Sequence, residues 1–309
     1  MLKGISQHVL KCGTIKRSFS TQTNVRPGLN KKVIMGGVII AAAAGGYFCW
    51  EKYKTGAQML DVERYVPLKV VTKEQISPDS YRLRLSTKQI DKEFPVPSCL
   101  YIKDDTIQVM RAYTPINSNP YKDGFVDLVV KRYPNGSVSR TLSGFEPQDD
   151  VHVRGPMIEE YEYKENTLDQ VGMIAGGTGI APMFQLICRI LENPKDKTSI
   201  WLVYGNKKLD DILLKSELDQ LQKSYPDRLK IKYVLESPPN DQYEKGYITK
   251  EIVQDMLTDK TDNRKIFVCG PSKLLELVCG ERARDYSQGQ VTGILSHLGL
   301  SSNEVWKFQ

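Results

Sequence analysis

Residues 171–183 read VGMIAGGTGIAPM, and the change of character half-way along them decides the architecture. Val171 to Ala175 is an apolar run of strand length, too short to be a helix of its own. It passes directly into Gly176-Gly177-Thr178-Gly179 and then into a helical start at Ile180 and Ala181, with Pro182 in the first turn, where a missing N–H costs nothing. Strand, glycine turn and helix in that order make a phosphate cradle. Glycines let a diphosphate approach the backbone, and the free N–H groups at the positive end of the helix face it. Taken alone, the turn also reads as a purely structural glycine turn.

Outward from this stretch the same grammar repeats. Ile200–Asn206 (IWLVYGN), Leu229–Leu235 (LKIKYVL) and Lys265–Pro271 (KIFVCGP) are further buried-strand runs, and Pro182–Leu191, Ile212–Ser224 and Lys250–Met256 are helical stretches between them. Alternation of this kind predicts a parallel sheet with helices on both faces. Val268-Cys269-Gly270-Pro271 then ends a strand at the same carboxyl edge as the glycine turn, which is where open α/β sheets bind ligands.

Upstream, residues 63 to 156 follow a period of two instead. Leu68–Val71, Tyr81–Leu85, Leu100–Ile102, Ile107–Tyr113, Phe125–Lys131 and Val151–Val153 are short runs separated by Pro, Gly, Asn and Asp, the pattern of an antiparallel barrel or sandwich. The join falls near residues 157–169, where IEEYEYKEN interrupts both patterns. Arg111-Ala112-Tyr113-Thr114-Pro115 closes one barrel strand, and KRYPNGSVSR (Lys131–Arg140) follows another. The first offers a guanidinium, an aromatic face and a hydroxyl; the second offers backbone N–H groups and hydroxyls around a glycine. A cationic, hydroxyl-rich rim facing a nucleotide fold points to two nucleotides meeting at one cleft, against the plainer reading of an exposed loop and a cross-strand Arg/Tyr pair.

The chain has 309 residues, a formal charge of +6 and 40% hydrophobic residues, which excludes a disordered tail protein, a collagen-like chain and a multi-span transporter. Seven basic residues (Lys3, Lys11, Lys16, Arg17, Arg26, Lys31, Lys32) and no acid fall in the first fifty positions, leaving 36 basic against 37 acidic residues and a charge of −1 for the rest. A nucleic-acid surface is therefore not expected. The leader instead has the composition of a mitochondrial presequence over residues 1–19, with a cleavage site after Phe19 in Arg17-Ser18-Phe19-Ser20. Val33 to Trp50 carries no charge and nearly covers a bilayer core at about 1.5 Å per residue. Its basic flank lies before it, so a single inner-membrane span is expected over 33–50, with the body in the intermembrane space. Six cysteines without a CxxC or Cys/His cluster, and only three histidines, indicate no metal site.

RAYTPIN, GFVDLVVKRY, NGSVS, Arg154-Gly155-Pro156, AGGTGIAPM, VYGNK, DILLKSEL, VCGP and the closing VWKF stand in the order found in the NADH-cytochrome b5 reductase branch of the ferredoxin-reductase-like flavoproteins. The resemblance covers residues 63 to 309. It implies an α+β two-domain flavoreductase, with an antiparallel β-barrel FAD domain over 63–160 and an α/β parallel-sheet NAD(P)H domain over 168–309, behind a single N-terminal transmembrane helix. By position it implies that Arg111, Tyr113, Thr114, Val129, Tyr133, Gly136, Ser137, Val138, Ser139 and Thr178 hold FAD. Lys131, Gly177, Gly179, Cys269, Gly270 and Pro271 would serve NADH, with Thr178, Cys269 and Lys131 at the reacting centre. Glu236 falls where the family's acid faces the adenosine ribose, which implies NADH rather than NADPH.

The departures also inform. Ala112 and Ser272 replace prolines of the reductase pattern, Ser137 replaces a basic residue, and PSCLYIKDD replaces a strand containing Gly-His. That strand, GERARDYSQGQVTGILSHLG and RGPMIEEYEY resemble more closely the fungal mitochondrial flavoproteins that support haem attachment to cytochrome c. The implied partners are then haem, apocytochrome c and its haem lyase, with cytochrome b5 as the alternative acceptor. A non-catalytic assembly factor that keeps FAD as a structural group is the rival of another class.

Overall fold

The computed structural model describes residues 57–104, 108–158, 161–257, 261 and 263–308. The presequence expected over 1–19 and the span expected over 33–50 lie outside the described residues, among which no helix is long and apolar enough to cross a membrane.

The first half is built from β1 (Val66–Ser77), β2 (Ser80–Ser86), β3 (Ser98–Asp104), β4 (Val109–Tyr113), β5 (Phe125–Lys131) and β6 (Asp150–Ile158). All pairings are antiparallel, in the order β4-β3-β6-β1-β2-β5. The period-two pattern sends Leu68, Val70, Leu83, Leu85, Leu100, Ile102, Leu128 and Val153 into one core. Among the described residues the expected barrel is not closed by a ladder, because no pairing joins the edge strands β4 and β5. β4 is short and turns Met110, Arg111 and Ala112 outward. Closure falls to the loop behind it, where Ile116 N–H donates to the Asp127 carbonyl at 2.8 Å and the Asn117 side chain accepts from Asp127 N–H at 3.0 Å. Two short helices complete this half, α1 (Pro120–Asp123) and α2 (Ser137–Gly144).

The second half contains β7 (Gln170–Gly176), β8 (Ser199–Asn206), β9 (Leu229–Leu235), β10 (Glu244–Lys245), β11 (Arg264–Cys269) and β12 (Val305–Lys307), all parallel in the order β10-β9-β8-β7-β11-β12. Its helices are α3 (Ile180–Glu192), α4 (Lys215–Ser224), α5 (Lys250–Met256), α6 (Ser272–Val278) and α7 (Gly293–His297). Every residue of β7 is buried, as a strand covered on both faces must be. The helix expected from Ile212 starts only at Lys215. Ile212, Leu213 and Leu214 are all buried, which one helical face cannot achieve for three consecutive residues, and Leu214 takes a left-handed φ of 59°.

α3 joins the halves. It is buried nearly all round, with Met183, Phe184, Ile187 and Ile190 in a core cluster that continues into the barrel. Its polar residues fix the angle of approach. Arg189 donates to the Phe94 and Ser118 carbonyls at 2.6 and 2.7 Å and pairs with Glu93, while the Gln185 side chain accepts from Ser98 N–H at 3.1 Å. On the other flank Arg82 links fully buried Asp127 (3.1 Å) to Glu217 of α4 (3.3 Å), and Arg84 bonds the same carboxylate at 2.7 Å. A carboxylate removed from water at this position needs both guanidiniums.

Candidate active site between the two halves

Where the barrel rim meets the carboxyl edge of the parallel sheet, a cleft of about 1620 Å³ opens. Pockets for one drug-sized ligand hold about 300–1,000 Å³, so this cleft has room for more than one. All the residues named above for FAD, NADH and the ribose line it.

On the barrel side, Arg111 and Tyr113 come from β4, Val129 and Lys131 from β5, and Gly136 to Ser139 from the start of α2. No side chain caps that helix, so its first N–H groups are presented to the cleft. The Ser139 hydroxyl is already committed: it accepts from Tyr133 N–H at 3.2 Å and donates to the Gly136 carbonyl at 3.1 Å, which fixes the loop before the helix. Arg111 is exposed and anchors one guanidinium nitrogen on the Met110 carbonyl at 2.8 Å. Burial pushes the Tyr113 phenol up to about 12, an effect that the neighbouring Tyr133 adds to and Arg111 opposes, so the ring stays neutral beside the cleft.

On the sheet side, Gly177 to Gly179 forms a single 3₁₀ turn leading into α3, again without a side-chain cap. Gly177 has a φ of 54°, and a Cβ built on it would meet nothing within 4 Å, so this position opens onto the cleft. Gly179 serves the opposite purpose, since a Cβ there would lie 2.2 Å from the Cys269 carbonyl oxygen. Only a glycine lets the turn lie against Cys269-Gly270-Pro271. The Glu236 N–H donates to the Asn206 carbonyl at 3.1 Å, setting the exposed acid at the rim beyond β9.

Two contacts cross between the walls. The Tyr133 hydroxyl lies 3.3 Å from Thr178 Oγ1. Lys131 sits between Asp79 of the barrel half at 3.2 Å and Asp211 of the sheet half at 3.3 Å, and these carboxylates hold its ammonium above the usual lysine range although burial works the other way. Lys131 therefore bridges the halves rather than pointing alone at a ligand.

The residues present fit two dinucleotides. Two uncapped helix starts, Arg111 and a glycine turn that opens onto the cleft supply the charge and close backbone approach that diphosphates need, and Tyr133, 47% exposed, offers an uncovered aromatic face. Sequence reasoning missed Tyr204, Asn206, Lys207, Phe308 and the segment that carries Arg282, Asp285, Tyr286 and Ser287. All but Tyr204 line the cleft. Tyr204, fully buried on β8, donates its hydroxyl to the Gly177 carbonyl at 2.9 Å and so fixes the turn from behind. Each lay inside a quoted motif without being singled out: Tyr204, Asn206 and Lys207 in VYGNK, Phe308 at the end of VWKF, and the last four in GERARDYSQGQVTGILSHLG.

Residues 67–163 match the family of oxidoreductase FAD-binding domains and residues 173–280 that of oxidoreductase NAD-binding domains. The NADH-cytochrome b5 reductase 2 of Coccidioides immitis is 36% identical, with 96% of each chain covered. The protein belongs to the NADH-cytochrome b5 reductase family. The reductase 2 of Aspergillus oryzae is 41% identical over 79% of this chain and 77% of that one. Among solved structures, the cytochrome b5 reductase domain of Ulva prolifera nitrate reductase superposes with a TM-score of 0.70 at 30% identity, covering 82% of this chain and 100% of that domain. As a member of this family the chain is an FAD- and NADH-dependent oxidoreductase, and the two matched domains are the two walls of the cleft.

Proposed function

We propose that this reductase is anchored in the mitochondrial inner membrane by residues 33–50 and passes electrons from NADH through FAD to haem iron in the intermembrane space, in support of haem attachment to cytochrome c. The observation that carries the redox reading is the meeting of both nucleotide walls at one cleft, with the Tyr133 hydroxyl 3.3 Å from Thr178. FAD supplies the chemistry, acceptance of a hydride from NADH and release of the electrons singly to iron. The chain's own part is placement. Arg111 and the start of α2 would hold one diphosphate, and the Gly177–Gly179 turn, backed by Tyr204, would hold the other. Tyr113 stays a neutral phenol, and no side chain of the cleft has to move a proton during hydride passage. Cys269 shapes the wall through its carbonyl contact with the turn and acts as packing, not as a nucleophile.

The names of the relatives favour a second reading, in which cytochrome b5 takes the electrons. The chain's departures at Ala112, Ser137 and Ser272, and the near-neutral charge of its body, favour haem or a haem-bearing apocytochrome. Initial rates with haemin, haem-loaded apocytochrome c and cytochrome b5 as parallel acceptors separate the two. Faster turnover with cytochrome b5 than with either haem acceptor overturns the first reading. An assembly factor that holds FAD only structurally would oxidise NADH with none of the three, and it would have little use for both the glycine turn and Cys269-Gly270-Pro271. Protease protection of the body in intact mitochondria, lost on rupture of the outer membrane, tests the location.

A further inference from the structure

Between α6 and α7 the chain leaves the sheet as a strap, Gly280–Val291, whose base is closed by Thr292 N–H donating to the Cys279 carbonyl at 3.0 Å. Its tip lines the cleft through Arg282, Asp285, Tyr286 and Ser287. The tip supports itself: Tyr286 N–H bonds the Ala283 carbonyl at 2.9 Å, Ala283 N–H bonds the Ser287 carbonyl at 3.1 Å, and Asp285 accepts from the Ser287 N–H and hydroxyl. Tyr286 is 67% exposed with a left-handed φ of 67°, so its ring stands out at the cleft on a turn held by those hydrogen bonds rather than by packing. The strap has few apolar residues with which to anchor itself in the core.

The anchor is Lys307 on β12, 1% exposed. Its Nζ donates to the carbonyls of Glu281 at 3.0 Å and Gln290 at 2.8 Å, one on each leg of the strap. Gln288 completes the clamp, its side chain accepting from Lys307 N–H at 2.6 Å and donating to the Lys307 carbonyl at 3.3 Å. No carboxylate pairs with this amine among the described residues. An unpaired amine is expensive to bury, and a methionine would fill the space without that cost. What a methionine lacks is a donor for the Glu281 and Gln290 carbonyls. Burial depresses the lysine's pKa, and burial also pushes the adjacent Cys279 thiol up to about 12, so the sulfur stays neutral there. Lys307 pairs in register with Val268, and the next residue, Phe308, donates its N–H to the Val268 carbonyl at 2.9 Å while its ring stacks on Phe267 and lines the cleft. Clamp and cleft wall are thus consecutive residues of one strand end.

We propose that Lys307 is a positioning residue for NADH: by bonding both legs of the strap it holds Arg282, Asp285 and Tyr286 as a wall of the compartment bounded by Cys269-Gly270-Pro271. The inference rests on the reading of that compartment as the NADH side of the cleft.

The test uses the full-length, FAD-loaded chain and its Lys307→Met variant, with rapid-mixing flavin reduction across a range of NADH concentrations and hydrogen exchange of residues 280–292. The variant keeps its flavin content and its limiting reduction rate, needs about tenfold more NADH for half the limiting rate, and exchanges faster in the strap alone. An unshifted NADH curve beside a loosened strap overturns the proposal, as does an unloosened strap. Should Lys307→Met fail to fold, Gln288→Ala removes only the backbone pairing and shows the same shift at about threefold, and no shift overturns the proposal equally. A wild-type flavin that NADH does not reduce removes the NADH-side reading as a whole, an outcome distinct from a normal wild type with an unshifted variant.

Discussion

The two halves bring residues to one cleft by different means. In the parallel half, Gly176, Asn206, Leu235 and Cys269 are the last residues of β7, β8, β9 and β11, so every strand delivers its carboxyl end to the same edge. In the antiparallel half neighbouring strands end at opposite sides, and the rim is assembled from the end of β4, the end of β5 and the start of α2. Topology alone places the first set, whereas individual side chains place the second. Lesions on the sheet side should therefore act through space in the turn, and lesions on the barrel side through lost charge.

The largest expected effect tests the sheet side. Gly177→Trp projects an indole into the open cleft and should lower NADH-dependent flavin reduction at least about a hundredfold, a loss of ~3 kcal/mol, while FAD stays bound. Loss of flavin from this variant would break the division between the walls. Arg111→Gln should do the reverse, weakening FAD retention by about 2 kcal/mol, read as the flavin-to-protein ratio after gel filtration, with NADH dependence of the remaining holoenzyme unchanged.

Smaller effects sharpen the comparison. Tyr204→Phe removes one hydrogen bond to the Gly177 carbonyl and should raise the NADH requirement about fivefold, for ~1 kcal/mol, without changing the limiting rate. The Lys131 bridge should matter least. Burial alone would raise the Asp79 carboxyl, but the Ser80 hydroxyl and Lys131 outweigh it and hold the pKa below its usual 3.8. A carboxyl whose folded pKa is depressed stabilises the fold above its unfolded value and loses that contribution as pH falls through the folded one. Lys131→Met should thus cost about 0.5 kcal/mol at neutral pH, and the gap in melting temperature from wild type should close as pH falls below 3.8.

The same contrast explains what was legible in the sequence. The central strands β7 and β8 read as unbroken apolar runs because both faces are covered, and Gly176–Gly179 marks its own place at a strand end. The barrel strands read through their alternation, but that pattern carries no information on closure, which depends on Ile116 and Asn117 reaching Asp127. Lys307 was illegible because a lysine in a sequence reads as solvent-facing, and its burial follows from two carbonyls on a strap whose path no local pattern sets. Tyr204 likewise acts through a backbone carbonyl that only tertiary structure brings near.

The central claim is that one cleft brings NADH onto FAD. Anaerobic rapid mixing of the full-length, FAD-loaded chain with NADH tests it directly. Saturating loss of the oxidised-flavin absorbance within a single turnover is the predicted result, and an absorbance that NADH leaves unchanged while dithionite abolishes it would contradict the account.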